Sequence, residues 1–219
     1  MKYKQFTHIL HDHTFESLKA ETAEGGRFYS SPVGNMPSVT TVTGWEKSKF
    51  FAKWRRENPQ ESRRVTSRGN AFHSLIEDYL NNELDISKWT PETVELFHQL
   101  KPELDKIDNI YALEVPLWSE AMMLAGRVDC VAEYNGKLSI IDFKGSTRAK
   151  RKEDIQNYFL QATAYAIAWQ ERTGQAIENF AILMSCEDGI TQVFEGKPIK
   201  YAKPLLEAIE NYHASVELV

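Results

Sequence analysis

The segment from Arg127 to Gly145, RVDCVAEYNGKLSIIDFKG, constrains the fold of this chain more than any other. At its centre, the dipeptide Asn135-Gly136 separates two β-rich runs. This is the strongest short-range signal for a hairpin, because a type I′ turn needs positive φ at both central residues. The sequence therefore predicts one strand over Leu124–Tyr134 and an antiparallel partner over Lys137–Lys144.

The hairpin is expected to bring two acids and a lysine together. Side chains alternate between the two faces of a strand, so Asp142 and Lys144 share one face while Phe143 points the other way. Asp129 lies on the partner strand, at a similar distance from the turn. We therefore expect the two carboxylates to meet across the hairpin, unless twist or a bulge separates them.

Such a pair of carboxylates suggests a metal site. Two carboxylates held close together repel each other unless a cation neutralises them, and oxygen ligands suit Mg²⁺ or Mn²⁺. The ammonium of Lys144 could hold and polarise a phosphate beside that ion. The alternative is a solvated ion pair between Asp142 and Lys144 on an edge strand, which is the usual state of an isolated D-x-K sequence. The strand LSIIDFK is apolar on both faces and therefore predicts an interior position, which favours a functional role.

Two helices offer further candidate residues. His73 and Glu77 are four positions apart on a predicted amphipathic helix, Ser67–Asn81, so they share a face. His73 is either a core histidine or a ligand for a transition metal such as Mn²⁺. Gln161 and Tyr165 form an analogous pair on a later helix of small residues, where they are either core residues or part of a site.

Glu114 lies just before Pro116 on a predicted strand, Ile110–Trp118, whose apolar side chains Tyr111, Leu113, Val115 and Leu117 are expected on the opposite face. It is either a third acid near the metal or an exposed strand residue.

Composition limits the function classes. The chain has 219 residues and 42% hydrophobic content, enough for one domain with an ordinary core. No run of 18 apolar residues occurs, so no membrane association is expected. The N-terminus has no apolar signal region, and two cysteines cannot build a disulfide framework or a four-cysteine iron–sulfur cluster. We therefore expect an intracellular, cytoplasmic protein.

The net charge of −5 is not typical of a nucleic-acid-binding protein, but the basic residues are clustered in the sequence. One basic run follows the hairpin and consists of Lys144, Arg148, Lys150, Arg151 and Lys152. Another consists of Lys53, Arg55, Arg56, Arg63, Arg64 and Arg68. Local basic strips on an acidic body suit a protein that meets phosphates at one groove, although solvated loops are an equal alternative.

The order of predicted elements gives the fold class. Residues 1–44, rich in Gly, Ser, Thr and Pro, are expected to form an irregular arm, and residues 45–219 a single domain. Further helices are predicted over Trp45–Glu57, from Pro91 to about Ile107, over residues 153–172 and over Tyr201–His213. Further strands are predicted over Phe180–Ser185 and Gln192–Phe194. This pattern indicates an α/β or α+β fold with helices around a mixed sheet.

Taken in order, these residues resemble the PD-(D/E)XK nuclease superfamily, in its RecB-type nuclease branch. The segments Gly126–Asp129, Ile141–Lys144 and Gln161–Tyr165 resemble its G-x-x-D, D-x-K and Q-x-x-x-Y motifs, and Arg68–His73 resembles its histidine motif. Within the branch, the phrases at 36–40, 112–114 and 128–134 are similar to the mitochondrial genome maintenance exonucleases and their phage and bacterial relatives. The resemblance covers about residues 36–170.

The resemblance implies a restriction-endonuclease-like core with an N-terminal helical elaboration. It also implies that His73, Asp129, Asp142 and the carbonyl of Phe143 are metal ligands. Lys144 would orient the attacking water or stabilise charge on the phosphate. Gln161 and Tyr165 would position the lysine or the phosphate, and Glu114 would be an auxiliary acid.

Function follows as an expectation: a Mg²⁺- or Mn²⁺-dependent deoxyribonuclease with one or two ions, acting as an exonuclease on single-stranded DNA from an end. The proposed DNA contacts are Ser38, Trp54, Arg68, Arg148, Lys150, Arg151 and Lys152. Aromatic residues in FFAKWRR could stack on bases, although the buried face of an amphipathic helix is the favoured alternative for them.

Two other functions remain open, namely a catalytically silent DNA-end-binding or adaptor module and an endonuclease with the same site. A monomer and a phage or bacterial origin are favoured. No ATP is expected, because the chain contains no G-x-x-x-x-G-K-[ST] loop.

Overall fold

The structure is a computed structural model that describes residues 3–23 and 25–217. Its strands are β1 (Lys19–Ala23), β2 (Gly26–Ser31), β3 (Gly34–Pro37), β4 (Ile107–Ser119), β5 (Leu124–Tyr134), β6 (Lys137–Ser146), β7 (Asn179–Cys186) and β8 (Thr191–Gly196). Its α-helices are α1 (Val39–Thr43), α2 (Ser48–Glu57), α3 (Pro59–Leu80), α4 (Pro91–Leu104), α5 (Gln156–Thr173) and α6 (Ala202–Glu217). Short 3₁₀ turns lie between several of these elements. Among the residues described, no helix is both long and apolar enough to cross a membrane.

A five-stranded mixed sheet forms the centre of the fold, in the order β4-β5-β6-β7-β8. Strands β6 and β7 are parallel, and the other neighbours are antiparallel. One core cluster lies between the sheet and α1, α5 and α6, and we call this side the α5 face. A second cluster lies between the sheet and α3 and α4, on the α3 face. The predicted fold class, a mixed sheet flanked by helices, is confirmed.

The predicted hairpin is present as β5 and β6. Asn135 and Gly136 both have positive φ, +50° and +72°, as a type I′ turn requires. Side chains of β6 alternate as predicted, because Ile140 packs in the cluster on the α5 face while Ile141 and Phe143 pack on the α3 face. The hairpin thus fixes which face of the sheet each residue near Asp142 can reach.

Strand β4 is less regular than predicted. The α5 face contains Tyr111, Val115 and Leu117, whereas Leu113 packs on the α3 face. The prediction that all four side chains share one face is therefore wrong for Leu113. The cause is an irregular backbone: the pairing with β5 shifts register twice near the start of β4, and Glu114 has a φ of +48°. A left-handed residue turns the strand over at that position.

The irregular conformation predicted for residues 1–44 is wrong for much of that segment. Strands β1, β2 and β3 form an antiparallel sheet, and α1 follows it. All five residues of β1 are exposed, so no alternation of apolar and polar side chains marks the strand in the sequence. Phe6 and Met36 are buried and attach this segment to the rest of the molecule. Residues 1, 2 and 24 lie outside the described chain, and the boundary at residue 44 stays a prediction.

Candidate active site

Asp129 lies where β5 and β6 separate. The paired register of the two strands runs from the turn as far as Cys130 opposite Ile141. At the next position, the carboxylate of Asp129 accepts a hydrogen bond from the backbone N–H of Phe143, at 2.9 Å. A side-chain oxygen therefore replaces the ladder bond, and this holds the carboxylate at the point where the cross-strand meeting with Asp142 is predicted.

Two predicted site residues, His73 and Glu114, converge on Asp129 from different elements. His73 reaches in from α3, with Nδ1 3.5 Å from Asp129 Oδ2 and 4.0 Å from Glu114 Oε1. One ligand atom from each of His73, Glu114 and Asp129 lies within 4.8 Å of the others. All three residues are half-buried. Two carboxylates and an imidazole at this spacing could hold one metal ion.

Glu114 enters this group through the irregular backbone of β4. Its φ of +48° is uncommon for a residue with a side chain and costs about 1 kcal/mol or more. Arg127 supports the distortion by donating a hydrogen bond from Nη1 to the Glu114 carbonyl, at 2.9 Å. Burial, followed by the charges of Asp129 and Glu77, raises the pKa of the Glu114 carboxyl to about 8. The sequence interpretation of Glu114 as an exposed strand residue does not fit this position.

Asp142 is paired with Lys144 instead of joining the trio directly. The ammonium of Lys144 lies 2.8 Å from Oδ1 and 2.7 Å from Oδ2 of Asp142. Gln161 also donates a hydrogen bond from Nε2 to Oδ1, at 3.0 Å. Burial raises the pKa of the Asp142 carboxyl, while Lys144 opposes the rise. Burial opposes the charge on Lys144 in turn, but Asp142 and Asp129 outweigh it and raise the pKa of the ammonium.

The residues present fit a divalent cation. Oδ2 of Asp142 is buried and forms the ion pair with the Lys144 ammonium, but it accepts no other hydrogen bond within the described chain, so a further lone pair of this oxygen stays available for a cation. Three carboxylates and one imidazole match the ligand preferences of Mg²⁺ and Mn²⁺ better than those of softer metals. The ring of Phe143 packs in the core on the α3 face and its N–H serves Asp129. Its carbonyl as a ligand stays a prediction.

Tyr165 reaches the site because residue 126 is glycine. A Cβ added to Gly126 would lie 2.6 Å from the hydroxyl oxygen of Tyr165 and 3.0 Å from Cε1 of its ring. Tyr165 is buried on α5, one turn after Gln161, and both residues line the same cleft. The glycine of the G-x-x-D segment is therefore a steric requirement of the tyrosine.

Replacing Gly126 with alanine is expected to reduce catalysis by about tenfold to a hundredfold, because the added methyl group displaces the tyrosine from the cleft by roughly 1 Å. The matched control is Gly69→Ala on α3, which adds a methyl group to the wall of the same cleft at a position where the Cβ meets no described atom within 4 Å. Initial rates of nuclease cleavage compare the two variants with the unchanged chain. Equal rates for all three would show that the position of Tyr165 is irrelevant.

The site lines a cleft of about 580 Å³. Arg27, Arg127, Glu77 and Lys144 contribute charged side chains to its walls. The sequence did not single out Arg27, because the sheet that carries it was not predicted. Alternation could have indicated Arg127, which lies two residues before Asp129 on the same strand.

Two predicted DNA contacts are buried. Ser38 lines the cleft but is only 1% exposed, and its hydroxyl caps α1 by accepting a hydrogen bond from the N–H of Thr41, at 3.0 Å. Arg68 is 8% exposed and forms an ion pair with Glu187, which also pairs with Arg64. Both residues have structural roles, and their contact with DNA stays a prediction.

The other predicted DNA contacts lie elsewhere. Arg148, Lys150 and Arg151 line a second groove of about 840 Å³ with the exposed residues Phe50 and Phe51. In the described part of the chain, neither Trp54 nor Lys152 is among the residues that line the cleft or this groove. The basic run therefore does not act as one continuous strip beside the candidate metal ligands.

Residues 83–215 match the family model of the PD-(D/E)XK nuclease superfamily. The chain belongs to this superfamily. The matched segment contains every candidate site residue from Glu114 to Tyr165, whereas His73 precedes it. Nucleases of this superfamily typically use divalent metals, which agrees with the group formed by His73, Glu114 and Asp129.

Curated relatives share the nuclease character. The chain is 30% identical over 148 residues to mitochondrial genome maintenance exonuclease 1 of Mus musculus, with 60% of this chain and 43% of the mouse protein covered. It is 26% identical over 181 residues to the Homo sapiens protein of the same name, with 74% and 51% covered. The chain thus spans about half the length of these relatives.

A candidate exonuclease of Eubacterium rectale, known from a crystal structure, has a similar fold. The TM-score is 0.51 at 14% identity, and the alignment covers 69% of this chain and 65% of the other. This likeness concerns the fold alone. Family membership and the named relatives together support a hydrolytic nuclease.

Proposed function

We propose that this nuclease hydrolyses DNA phosphodiester bonds with Mg²⁺ or Mn²⁺, and that it degrades single-stranded DNA from an end. The observation that carries the proposal is the convergence of His73, Glu114 and Asp129 in one cleft that Lys144 also lines, with the buried Asp142 paired to that lysine. The trio supplies ligands, and the pair supplies a buried oxygen and a fixed positive charge. A catalytically silent adaptor has no chemical need for a set of metal ligands together with a buried lysine–carboxylate pair.

The residues of the cleft have distinct proposed roles. A divalent cation, when bound, supplies Lewis acidity toward a phosphodiester oxygen and toward water. Asp142 holds the Lys144 ammonium, and Gln161 fixes the Asp142 carboxylate by donating to Oδ1, so that the ammonium faces the position where negative charge develops on the phosphate. Tyr165 presents its hydroxyl from the wall of the cleft, where it can orient the phosphate.

The preference for single strands and for ends has its own support. The curated relatives are named exonucleases, and the cleft of about 580 Å³ is bordered by α1 and by the small sheet β1–β3. Residues from these elements, such as Arg27, Tyr29 and Thr40, line the cleft together with the candidate ligands. We propose that a flexible single strand enters a cleft walled in this way more readily than a duplex. We further propose that the active form is a monomer, because one chain supplies all the named groups.

A comparison of linear with circular single-stranded DNA of the same sequence tests the proposal. With Mg²⁺ or Mn²⁺ present, we expect the linear form to be degraded and the circle to persist, because only the linear form offers an end. A duplex of that sequence serves as the second substrate and is expected to react more slowly. Equal loss of circle and linear strand would refute end dependence while leaving the nuclease activity intact.

A further inference from the structure

We propose that α2 and the loop after β6 form a second subsite for single-stranded nucleic acid, in which Phe50 and Phe51 stack on bases while Arg148, Lys150 and Arg151 hold phosphates. This proposal rests on the proposed function, since it assumes that a nucleic-acid strand enters the catalytic cleft. It assigns binding residues on a helix that the candidate active site does not use.

The first observation is the exposure of two adjacent aromatic rings. Phe50 is 67% exposed and Phe51 is 45% exposed, and their ring centroids lie 5.4 Å apart. No residue of α2 is buried, so the predicted buried face of an amphipathic helix is wrong for this segment. Two adjacent exposed phenylalanines on a helix rich in charged residues indicate a surface that another molecule covers.

The second observation is that the basic loop is held in a fixed shape. Gln192 forms two hydrogen bonds with the backbone of Lys150, accepting from its N–H at 2.7 Å and donating to its carbonyl at 2.9 Å. Asp188 accepts from the N–H of Ala149 at 2.9 Å, and Ser146 donates to the carbonyl of Arg148 at 2.8 Å. A loop fixed in this way presents its cations at defined positions, unlike the solvated loop considered from the sequence.

The third observation is that these groups share a groove that continues toward the candidate active site. Thr40 lines both the catalytic cleft and a neighbouring groove of about 490 Å³. Phe51 and Lys47 line that neighbouring groove and also the groove of about 840 Å³ that holds the basic loop. On the other side, Tyr158 lines the basic groove while its ring lies 5.0 Å from the ammonium of Lys144.

The charge and the lining of the basic groove indicate which kind of ligand binds there. The chain carries a net charge of −5, yet among the described residues the basic groove has one lining carboxylate, Asp154, which pairs with Arg151. Arg148 and Lys150 have no ion-pair partner within the described chain. Cations beside flat aromatic rings match a single strand, whose phosphates and unpaired bases are both accessible. A duplex keeps its bases stacked inside, and an acidic peptide gives the rings nothing to stack on.

The test measures binding without cleavage, by fluorescence anisotropy in EDTA. The probes are labelled oligothymidylate of about 16 nucleotides and an abasic strand of equal length and charge. The Phe50→Leu/Phe51→Leu variant keeps apolar side chains but removes the flat rings. We expect it to bind oligothymidylate about tenfold more weakly than the unchanged chain, and to bind the abasic strand equally well. Leu206→Ala, at an exposed leucine on α6, is the control and should bind as the unchanged chain does.

Folding of the variants is checked by thermal unfolding, and Phe50→Trp/Phe51→Trp should restore or tighten binding because it restores flat rings. The proposal is overturned if the leucine variant binds oligothymidylate as tightly as the unchanged chain. It is also overturned if the unchanged chain does not distinguish oligothymidylate from the abasic strand, or if an acidic peptide competes as well as the oligonucleotide does. Failure of the proposed function has a separate readout, which is the absence of DNA cleavage by the unchanged chain when Mg²⁺ or Mn²⁺ is present.

Discussion

Replacing Lys144 with methionine is expected to lower the rate of DNA cleavage by about a hundredfold to a thousandfold, the usual cost of losing one preorganised charge at the position of a developing anion. Methionine keeps most of the aliphatic stem and removes only the ammonium. The rate is measured with labelled single-stranded DNA at saturating Mg²⁺ or Mn²⁺. The matched control is Lys203→Met on α6, where the side chain is 87% exposed, and it should cleave at the unchanged rate.

The Lys144→Met variant also removes the ion-pair partner of Asp142. A buried carboxylate left alone destabilises a protein by about 3–5 kcal/mol, so some loss of activity could reflect unfolding. The double variant Lys144→Met/Asp142→Asn removes both charges and is expected to recover thermal stability without recovering cleavage. If the double variant were both stable and as active as the unchanged chain, Lys144 would have no catalytic role.

Replacing Asp129 with asparagine is expected to weaken binding of Mn²⁺ by about a hundredfold or more and to reduce cleavage in proportion, because the site loses one of its anionic oxygens. An asparagine oxygen can still accept the hydrogen bond from Phe143 N–H, so the hairpin should keep its shape. Titration calorimetry with Mn²⁺ measures the affinity. Asp85→Asn, at an exposed carboxylate outside the cleft, is the matched control.

Thermal unfolding separates a metal effect from a folding defect at Asp129. Without metal, the variant should be at least as stable as the unchanged chain, because Glu114 and Asp129 no longer repel each other. Saturating Mn²⁺ should raise the melting temperature of the unchanged chain, since a ligand that binds only the folded state stabilises it. At the same Mn²⁺ concentration, the melting temperature of Asp129→Asn should rise much less, because its affinity for the ion is lower. An equal rise of the melting temperature in both proteins would show that Mn²⁺ binds at a site that does not include Asp129.

Local sequence patterns were sufficient to predict the hairpin of β5 and β6. Asn135-Gly136 fixed the turn type, and strict alternation then placed Asp142 and Lys144 on one face and Phe143 on the other. The same alternation put Asp129 opposite Asp142, so most of the candidate site could be predicted once two strands were recognised. The mixed sheet followed from the order of strands and helices.

Other parts of the fold and of the candidate site depend on structural features that leave no pattern in a single sequence. The position of Glu114 depends on a left-handed residue in β4, and a non-glycine residue with positive φ has no dependable sequence signal. Strand β1 is exposed throughout, so periodicity could not reveal the small sheet or Arg27. Burial is the favoured prediction for Phe50 and Phe51 because apolar residues are usually buried, but both are exposed in the structure.

The position of bound Mn²⁺ tests the central claim most directly. Anomalous X-ray scattering from crystals soaked with Mn²⁺ locates the ion without relying on activity. Our account predicts a peak in direct contact with Asp129 and His73, within reach of Glu114 and of the Asp142 carboxylate. A peak at another acidic surface, with these side chains free of metal at saturating Mn²⁺, would contradict it.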